Sequence, residues 1–138
     1  MELRVGESRT EVVVEDLSRT RIVMYAGASG DFNPLHTDEV YATEVAGRPA
    51  VLAHGMLAMG ATGRVLTDWV GVEGLRSYGV RFVGPVRPGD TLTARATVDA
   101  VHVRGGRRLA EFTVEAVDQD GSRVVVGRAT ADLGPVDQ

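Results

Sequence analysis

The stretch AVLAHGMLAMGATGRVLTDWVG, residues 50–71, constrains the fold of this chain more than any other. Apolar and small residues recur in it at helical spacing: Leu57, Ala61, Val65 and Trp69 every four residues, with Ala58, Thr62 and Leu66 alongside. This spacing predicts a helix with one wide apolar face. Its small residues are Gly55, Ala58, Gly60, Ala61 and Gly63. Because a glycine costs about 1 kcal/mol in a helix relative to alanine, we expect the small residues to let a sheet pack closely against this helix.

The flanking segments predict strands and shorter helices. Strands are expected at 10–15, 75–83, 91–100, 108–117 and 123–133, with Ala100 in the inward row of its strand; turns are expected at RGGR (104–107) and QDGS (119–122). A first helix would be capped by Asp16 or Ser18 and end at GASGD, and a second, capped by Thr37, would end near Gly47 and Pro49. This order predicts a single α+β domain, residues 1–138, in which one antiparallel sheet packs on a long helix.

Composition excludes several classes of function. The net charge is −4, and all 15 basic residues are arginine, which gives no basic field for nucleic acid. The absence of cysteine excludes disulfides, thiolate zinc sites and a cysteine nucleophile, and it favours a reducing cytoplasm. No apolar run approaches the roughly 20 residues that span a bilayer, so we expect neither a signal peptide nor membrane insertion.

The loop SGDFNPLH, residues 29–36, places three polar side chains on a short segment stiffened by Gly30 and Pro34. One interpretation is a plain turn, in which Asp31 and Asn33 bond to neighbouring amides. The other is acid–base chemistry, since a carboxylate and a histidine at fixed separation can hold a water and move a proton. Calcium-loop and serine-hydrolase motifs fit poorly, which makes Ser29 a turn residue. No histidine pair has zinc-ligand spacing in the sequence, so no metal is expected unless the fold brings the histidines together.

The segment YAGASGDFNPLHTDEVYA, residues 25–42, resembles the signature of the MaoC-like (R)-specific enoyl-CoA hydratases. AHGMLAMG resembles the start of that family's central helix, and RFVGPVRPGDTL resembles a later family segment, so the likeness covers about residues 5–133. Within the family the chain looks most like the HadB-type subunit of the (3R)-hydroxyacyl-ACP dehydratase. The resemblance implies a hot-dog fold, a curved antiparallel sheet around a long helix, dimerised into one continuous sheet.

The resemblance also implies roles for individual residues. Asp31 and His36 would be the catalytic pair that holds the water, with the acid and the base unassigned between them. Asn33 would order the site, and the backbone N–H of Gly55 would bind the thioester oxygen at the start of the central helix. The implied reaction is the reversible hydration of a trans-2-enoyl thioester to its (3R)-3-hydroxyacyl form, without metal or redox cofactor.

Other residues and partners carry weaker expectations. His54 would cap the central helix or pack there, Tyr25 would pack, and Trp69 would lie in the core or line the acyl pocket. Arg104, Arg107 and Arg108 would form a solvated hairpin tip or a phosphate clamp. The acyl carrier would be CoA or an acyl carrier protein, and the dimer partner a second copy or a different hot-dog chain. Thioester hydrolysis and a non-catalytic subunit are the alternative functions.

Overall fold

The computed structural model describes residues 1–136. Its five strands are β1 (Ser8–Val14), β2 (Leu75–Phe82), β3 (Leu92–Arg104), β4 (Arg107–Val117) and β5 (Arg123–Pro135). Its helices are α1 (Arg19–Ser29) and α2 (Gly55–Val70), and a short π-helical turn lies between them (Tyr41–Val45). Within residues 1–136, no helix combines the length and the apolar character needed to cross a bilayer.

The strands form one antiparallel sheet in the order β1-β3-β4-β5-β2. Helix α2 contacts every strand of this sheet. The strand alternation seen in the sequence explains the packing: on β4, Ala110, Phe112, Val114 and Ala116 are buried while their neighbours Glu111 and Thr113 are exposed. The α+β prediction, with one curved sheet on a long helix, is therefore confirmed.

The β3–β4 hairpin confirms one prediction and corrects another. Gly105 and Gly106 turn the chain with φ of 58° and 73°, the left-handed values that a two-residue hairpin of this kind requires. Strand β3 runs to Arg104, however, beyond the predicted end at residue 100. A register shift between Val98 and Ala100 breaks the alternation, so Ala100 is only half-buried instead of continuing the inward row.

Capping hydrogen bonds set where α1 begins and ends and where the following helical turn begins. Ser18 caps α1 as predicted, because its hydroxyl accepts a hydrogen bond from the Arg21 N–H (3.0 Å). Gly30 ends α1 with φ of 73°, and its N–H donates to the Ala26 carbonyl. The predicted cap at Thr37 is wrong: the Asp38 carboxylate accepts from the Tyr41 N–H (3.1 Å) instead. A carboxylate is the stronger choice here, because its charge also suits a helix N-terminus.

Only some small residues of α2 permit close packing. A Cβ on Gly63 would lie 3.1 Å from the ring of Tyr78 on β2, whereas a Cβ on Gly60 would meet no atom within 4 Å. The expectation that Gly60 faces the sheet is therefore wrong. Tyr78 is held in place because its hydroxyl donates to the Met59 carbonyl (2.8 Å), and burial raises its pKa to about 12. The ring of Tyr78 fills the space that Gly63 leaves.

Candidate active site

The loop that follows α1 is held by a chain of side-chain to backbone hydrogen bonds. The Asp31 N–H donates to the Ser29 hydroxyl (3.2 Å), the Asn33 N–H to Asp31 Oδ1 (3.3 Å), and the Leu35 N–H to Asn33 Oδ1 (3.0 Å). Asp31 and Asn33 therefore accept hydrogen bonds from neighbouring amides, as the turn interpretation predicts. Only Oδ1 of Asp31 takes part in the turn, which leaves its Oδ2 free for another contact.

Oδ2 of Asp31 faces the ring of His36, with 3.8 Å between it and Nε2. The other ring nitrogen of His36, Nδ1, lies 2.7 Å from the Leu52 carbonyl oxygen. Because a carbonyl can only accept, Nδ1 must carry the proton, so in the neutral ring the lone pair lies on Nε2, the nitrogen turned to Asp31. The His36 side chain is 13% exposed and that of Asp31 is 53% exposed. The pair is therefore anchored on one side and open on the other.

His54 lies directly behind this pair. It is 2% exposed, and its Nε2–H donates to the main-chain carbonyl of Asp31 (3.0 Å). Its ring stacks on that of His36, with centroids 3.7 Å apart and an interplanar angle of 23°. His54 occupies the position before α2, as expected, but its side chain makes no capping hydrogen bond. Its expected packing role is observed, and Tyr25 packs beside it with ring centroids 4.9 Å apart.

Gly55 begins α2 beside the pair. The first N–H groups of a helix have no acceptor within the helix, and no group in residues 1–136 accepts a hydrogen bond from the Gly55 N–H. A Cβ on Gly55 would lie 3.1–3.2 Å from ring carbons of Phe82, so glycine lets this exposed ring pack closely against the start of the helix. A cavity of about 350 Å³ joins Asp31, Gly55 and Phe82. The site can therefore present an acid–base pair and a free N–H to one molecule.

A second, largely apolar cavity adjoins the first. It measures about 250 Å³ and is lined by His54, Gly55, Ala58, Phe82, Pro85 and Val86, among others. His54, Gly55 and Phe82 line both cavities. A larger depression of about 520 Å³ runs along β2, β4 and β5, but it touches none of the loop residues.

The same loop offers the residues that could bind a metal. Ligand atoms of Asp31, His36 and His54 lie within 4.8 Å of one another. A zinc site was expected only if the fold brought the histidines together, and the fold does so for His36 and His54. However, each histidine already donates from one nitrogen to a carbonyl, and the remaining nitrogen of His54 is buried. This leaves the Asp31 carboxylate and Nε2 of His36 as available ligand atoms, fewer than the three protein ligands of a catalytic zinc site.

The fold does not bring Trp69, Arg104 or Arg107 to the loop. Trp69 lies on the last turn of α2, about 20 Å from Gly55 at about 1.5 Å per residue, and it contacts Phe112 edge-on with ring centroids 5.4 Å apart. Along β5, Val125 pairs with Phe82 while Pro135 pairs with Arg107. Val125 and Pro135 are about 33 Å apart at about 3.3 Å per residue.

Two of the hairpin arginines, Arg107 and Arg108, have acidic partners. Oδ2 of Asp132 accepts from Arg107 (2.6 Å) and from Arg76 (2.8 Å), and these hydrogen bonds hold the pKa of the Asp132 carboxyl well below its usual range. Arg108 lies 3.4 Å from Glu2. Within one chain, Arg107 therefore forms an ion pair at the end of the sheet opposite to Asp31.

Fold and site together define a class: a hot-dog fold, with a sheet packed on a long helix, that carries an Asp–His pair on a loop beside the start of that helix. Residues 2–120 match the family described as MaoC like domain, and the chain belongs to that family.

Two relatives and one solved structure illustrate the family. The chain is 36% identical over 112 residues to 3-hydroxyacyl-thioester dehydratase Y of Mycobacterium tuberculosis, which covers 79% of this chain and 36% of the relative. It is 34% identical over 115 residues to the (R)-specific enoyl-CoA hydratase of Aeromonas caviae, covering 81% and 83%. The structure of R-hydratase PhaJ1 from Pseudomonas aeruginosa superposes with a TM-score of 0.81 at 26% identity, covering 99% of this chain and 84% of that one. The chain thus spans about a third of the M. tuberculosis dehydratase and most of the hydratases.

Proposed function

We propose that this protein interconverts a trans-2-enoyl thioester and the corresponding (3R)-3-hydroxyacyl thioester by adding or removing water. The observation that carries the proposal is the juxtaposition of Asp31 Oδ2 and His36 Nε2, 3.8 Å apart. Asp31 and Gly55 line one cavity, and the Gly55 N–H has no acceptor within residues 1–136. Two relatives named for this chemistry, a hydratase and a dehydratase, support it.

The geometry divides the chemistry between two kinds of group. In hydration, the water oxygen bonds to C3, a proton is delivered to C2, and the C2–C3 double bond becomes single. Asp31 and His36 together bind the water, accept one of its protons and return a proton to C2, so the pair ends as it began. The bond from His36 Nδ1–H to the Leu52 carbonyl keeps the lone pair of the neutral ring on Nε2, where the water lies.

Gly55 stabilises the charge that this reaction places on the thioester oxygen. Its N–H lies at a helix N-terminus, where the helix dipole favours negative charge. A donor of this kind contributes about 10²–10³-fold to turnover in other enzymes. Asn33 supports the site indirectly, because its side chain accepts from the Leu35 N–H and fixes the turn between Asp31 and His36.

The carrier and the assembly form part of the proposal. CoA or an acyl carrier protein would present the acyl chain, with no metal or redox cofactor required, in a cytoplasmic setting. The 53% exposure of the Asp31 side chain favours a second hot-dog chain, identical or not, that covers the open side of the pair. The arginines of the hairpin would contact a carrier phosphate only if such a partner brought them to a neighbouring site.

The test is hydration of crotonyl-CoA and of a longer 2-enoyl-CoA, followed by loss of enoyl absorbance, with chiral analysis of the alcohol. Asp31→Asn and His36→Gln should each lower turnover by about 10²–10⁴-fold. The matched controls are Asp120→Asn and His102→Gln, which change exposed residues away from the loop and should leave turnover unchanged. Release of free thiol without hydration would replace the proposal by a thioesterase, and tight binding without turnover, even with candidate partner chains, would indicate a non-catalytic subunit.

A further inference from the structure

His54 carries a buried nitrogen that the turn, the helix cap and the proposed proton transfers leave unused. Its Nδ1 is buried without a hydrogen-bond partner in residues 1–136, while its Nε2–H donates to the Asp31 carbonyl (3.0 Å). Buried polar atoms without partners are rare and call for an explanation. The features of this ring that do make contacts are its Nε2–H and its flat face.

Both features touch the acid–base pair. The Nε2–H fixes the main chain of Asp31, the residue that supplies the carboxylate. The face of the ring lies on His36, with centroids 3.7 Å apart, while Tyr25 packs beside His54 at 4.9 Å. Tyr25 of α1 and the Asp31 carbonyl thus hold the His54 ring, and this ring contacts both Asp31 and His36.

We propose that His54 is a positioning residue that sets the separation of Asp31 and His36. The inference rests on the function proposed above and deepens it. The gap of 3.8 Å between Asp31 Oδ2 and His36 Nε2 suits a bound water rather than a direct hydrogen bond. This distance depends on where the Asp31 main chain lies and on the plane of the His36 ring, and His54 contacts both groups. His54 exchanges no proton with substrate, because its one N–H is held by a carbonyl and its other nitrogen is enclosed.

Two substitutions separate the two contacts. His54→Phe keeps a flat ring against His36 but removes the donor to the Asp31 carbonyl, whereas His54→Gln keeps an N–H donor but removes the ring. Each should lower kcat by about 10–100-fold with KM nearly unchanged, since a misplacement of about 1 Å at a reacting centre can cost about 10²-fold. His102→Gln, at an exposed histidine of β3, is the matched control and should retain wild-type kcat.

A double-mutant cycle tests whether His54 acts through Asp31. In an Asp31→Asn background, His54→Phe should cost much less than it does in the wild type, because the group that it positions no longer functions. Melting temperatures of all variants serve as the fold control. Wild-type kcat in both His54 variants, or fully additive losses in the cycle, would overturn the proposal and leave His54 as a packing residue.

Crystal structures of the wild type and of His54→Phe keep the inference separate from the proposed function. The Asp31 carbonyl and the His36 ring should shift relative to each other, which alters the distance between Oδ2 and Nε2, even if the wild type hydrates none of the enoyl thioesters offered. Unchanged positions of both groups would overturn the positioning role. Failure of hydration with a displaced pair would count against the proposed function alone.

Discussion

Gly60 and Gly63, one turn apart on α2, provide a matched pair for testing how the helix packs. Replacement by alanine brings the same helix preference at both positions, because alanine is favoured over glycine in a helix by about 0.8–1.0 kcal/mol. They differ in what the new Cβ would meet: open space at Gly60, and a Tyr78 ring carbon at 3.1 Å at Gly63. Gly60→Ala should therefore raise the free energy of unfolding by about 1 kcal/mol.

Gly63→Ala gains the same helix preference but must displace Tyr78. The movement of that ring is restricted, because its hydroxyl donates a hydrogen bond to the Met59 carbonyl (2.8 Å). Overpacking of this kind costs about 1–3 kcal/mol, so the net effect should lie between no change and a loss of about 2 kcal/mol. The two variants should differ by about 1–3 kcal/mol.

Thermal and urea unfolding at one protein concentration would measure this difference. For 138 residues, an unfolding entropy of about 2.1 cal/mol/K per residue makes 1 kcal/mol equivalent to roughly 3–4 °C in Tm. Gly60→Ala should therefore melt roughly 3–10 °C above Gly63→Ala. Equal melting temperatures would refute the reasoning, because they would mean that Tyr78 yields without cost.

Three further predictions concern stability and specificity. Asp132→Asn should destabilise the protein at pH 7, because the lowered pKa of this carboxyl in the folded state contributes its full stabilisation there. The difference from wild type should shrink as the pH falls below 3.8, the pKa of this carboxyl in the unfolded chain. Urea unfolding of both proteins at pH 7 and at pH 3 would check this. Phe112→Ala should lower the free energy of unfolding by about 3–5 kcal/mol, since the ring is 1% exposed; a loss below 1 kcal/mol in urea would contradict its place in the core. Phe82→Ala should join the cavities of about 350 and 250 Å³ and raise kcat/KM for a 2-octenoyl thioester relative to crotonyl-CoA, and an unchanged ratio would argue against a role for this ring in acyl-chain length.

Elements with a strong period were predictable from the sequence, and details that depend on a neighbour were not. The buried row of β4 and the Gly-Gly hairpin follow from local pattern alone. The register shift between Val98 and Ala100 could not be predicted from local pattern, because it depends on how β3 pairs with β4. The outward position of Gly60 was present in the sequence: it shares its four-residue row with Met56, Arg64 and Asp68, all exposed.

The candidate site shows the same division. Asp31 and His36 lie five positions apart on one loop, so their proximity could be predicted from the sequence, and so could their closeness to Gly55 through the family resemblance. The packing of His54 was predicted but its hydrogen bond was not, because the acceptor is a main-chain carbonyl 23 residues away and every residue has a carbonyl. The available signal was its place immediately before the glycine that opens α2.

The anchors of both histidines have a consequence for mutational tolerance. His36 and His54 bond to the carbonyls of Leu52 and Asp31, and a carbonyl survives almost any change of side chain. Because the Leu52 side chain lines the apolar cavity, a scan of side-chain substitutions should report its effect on that cavity, but it would not detect the carbonyl of the same residue, which fixes the tautomer of His36. Insertions or deletions between residues 52 and 54 should be tolerated far less than substitutions there. The two carbonyl hydrogen bonds thus constrain the number of residues in this segment more than the identity of those residues.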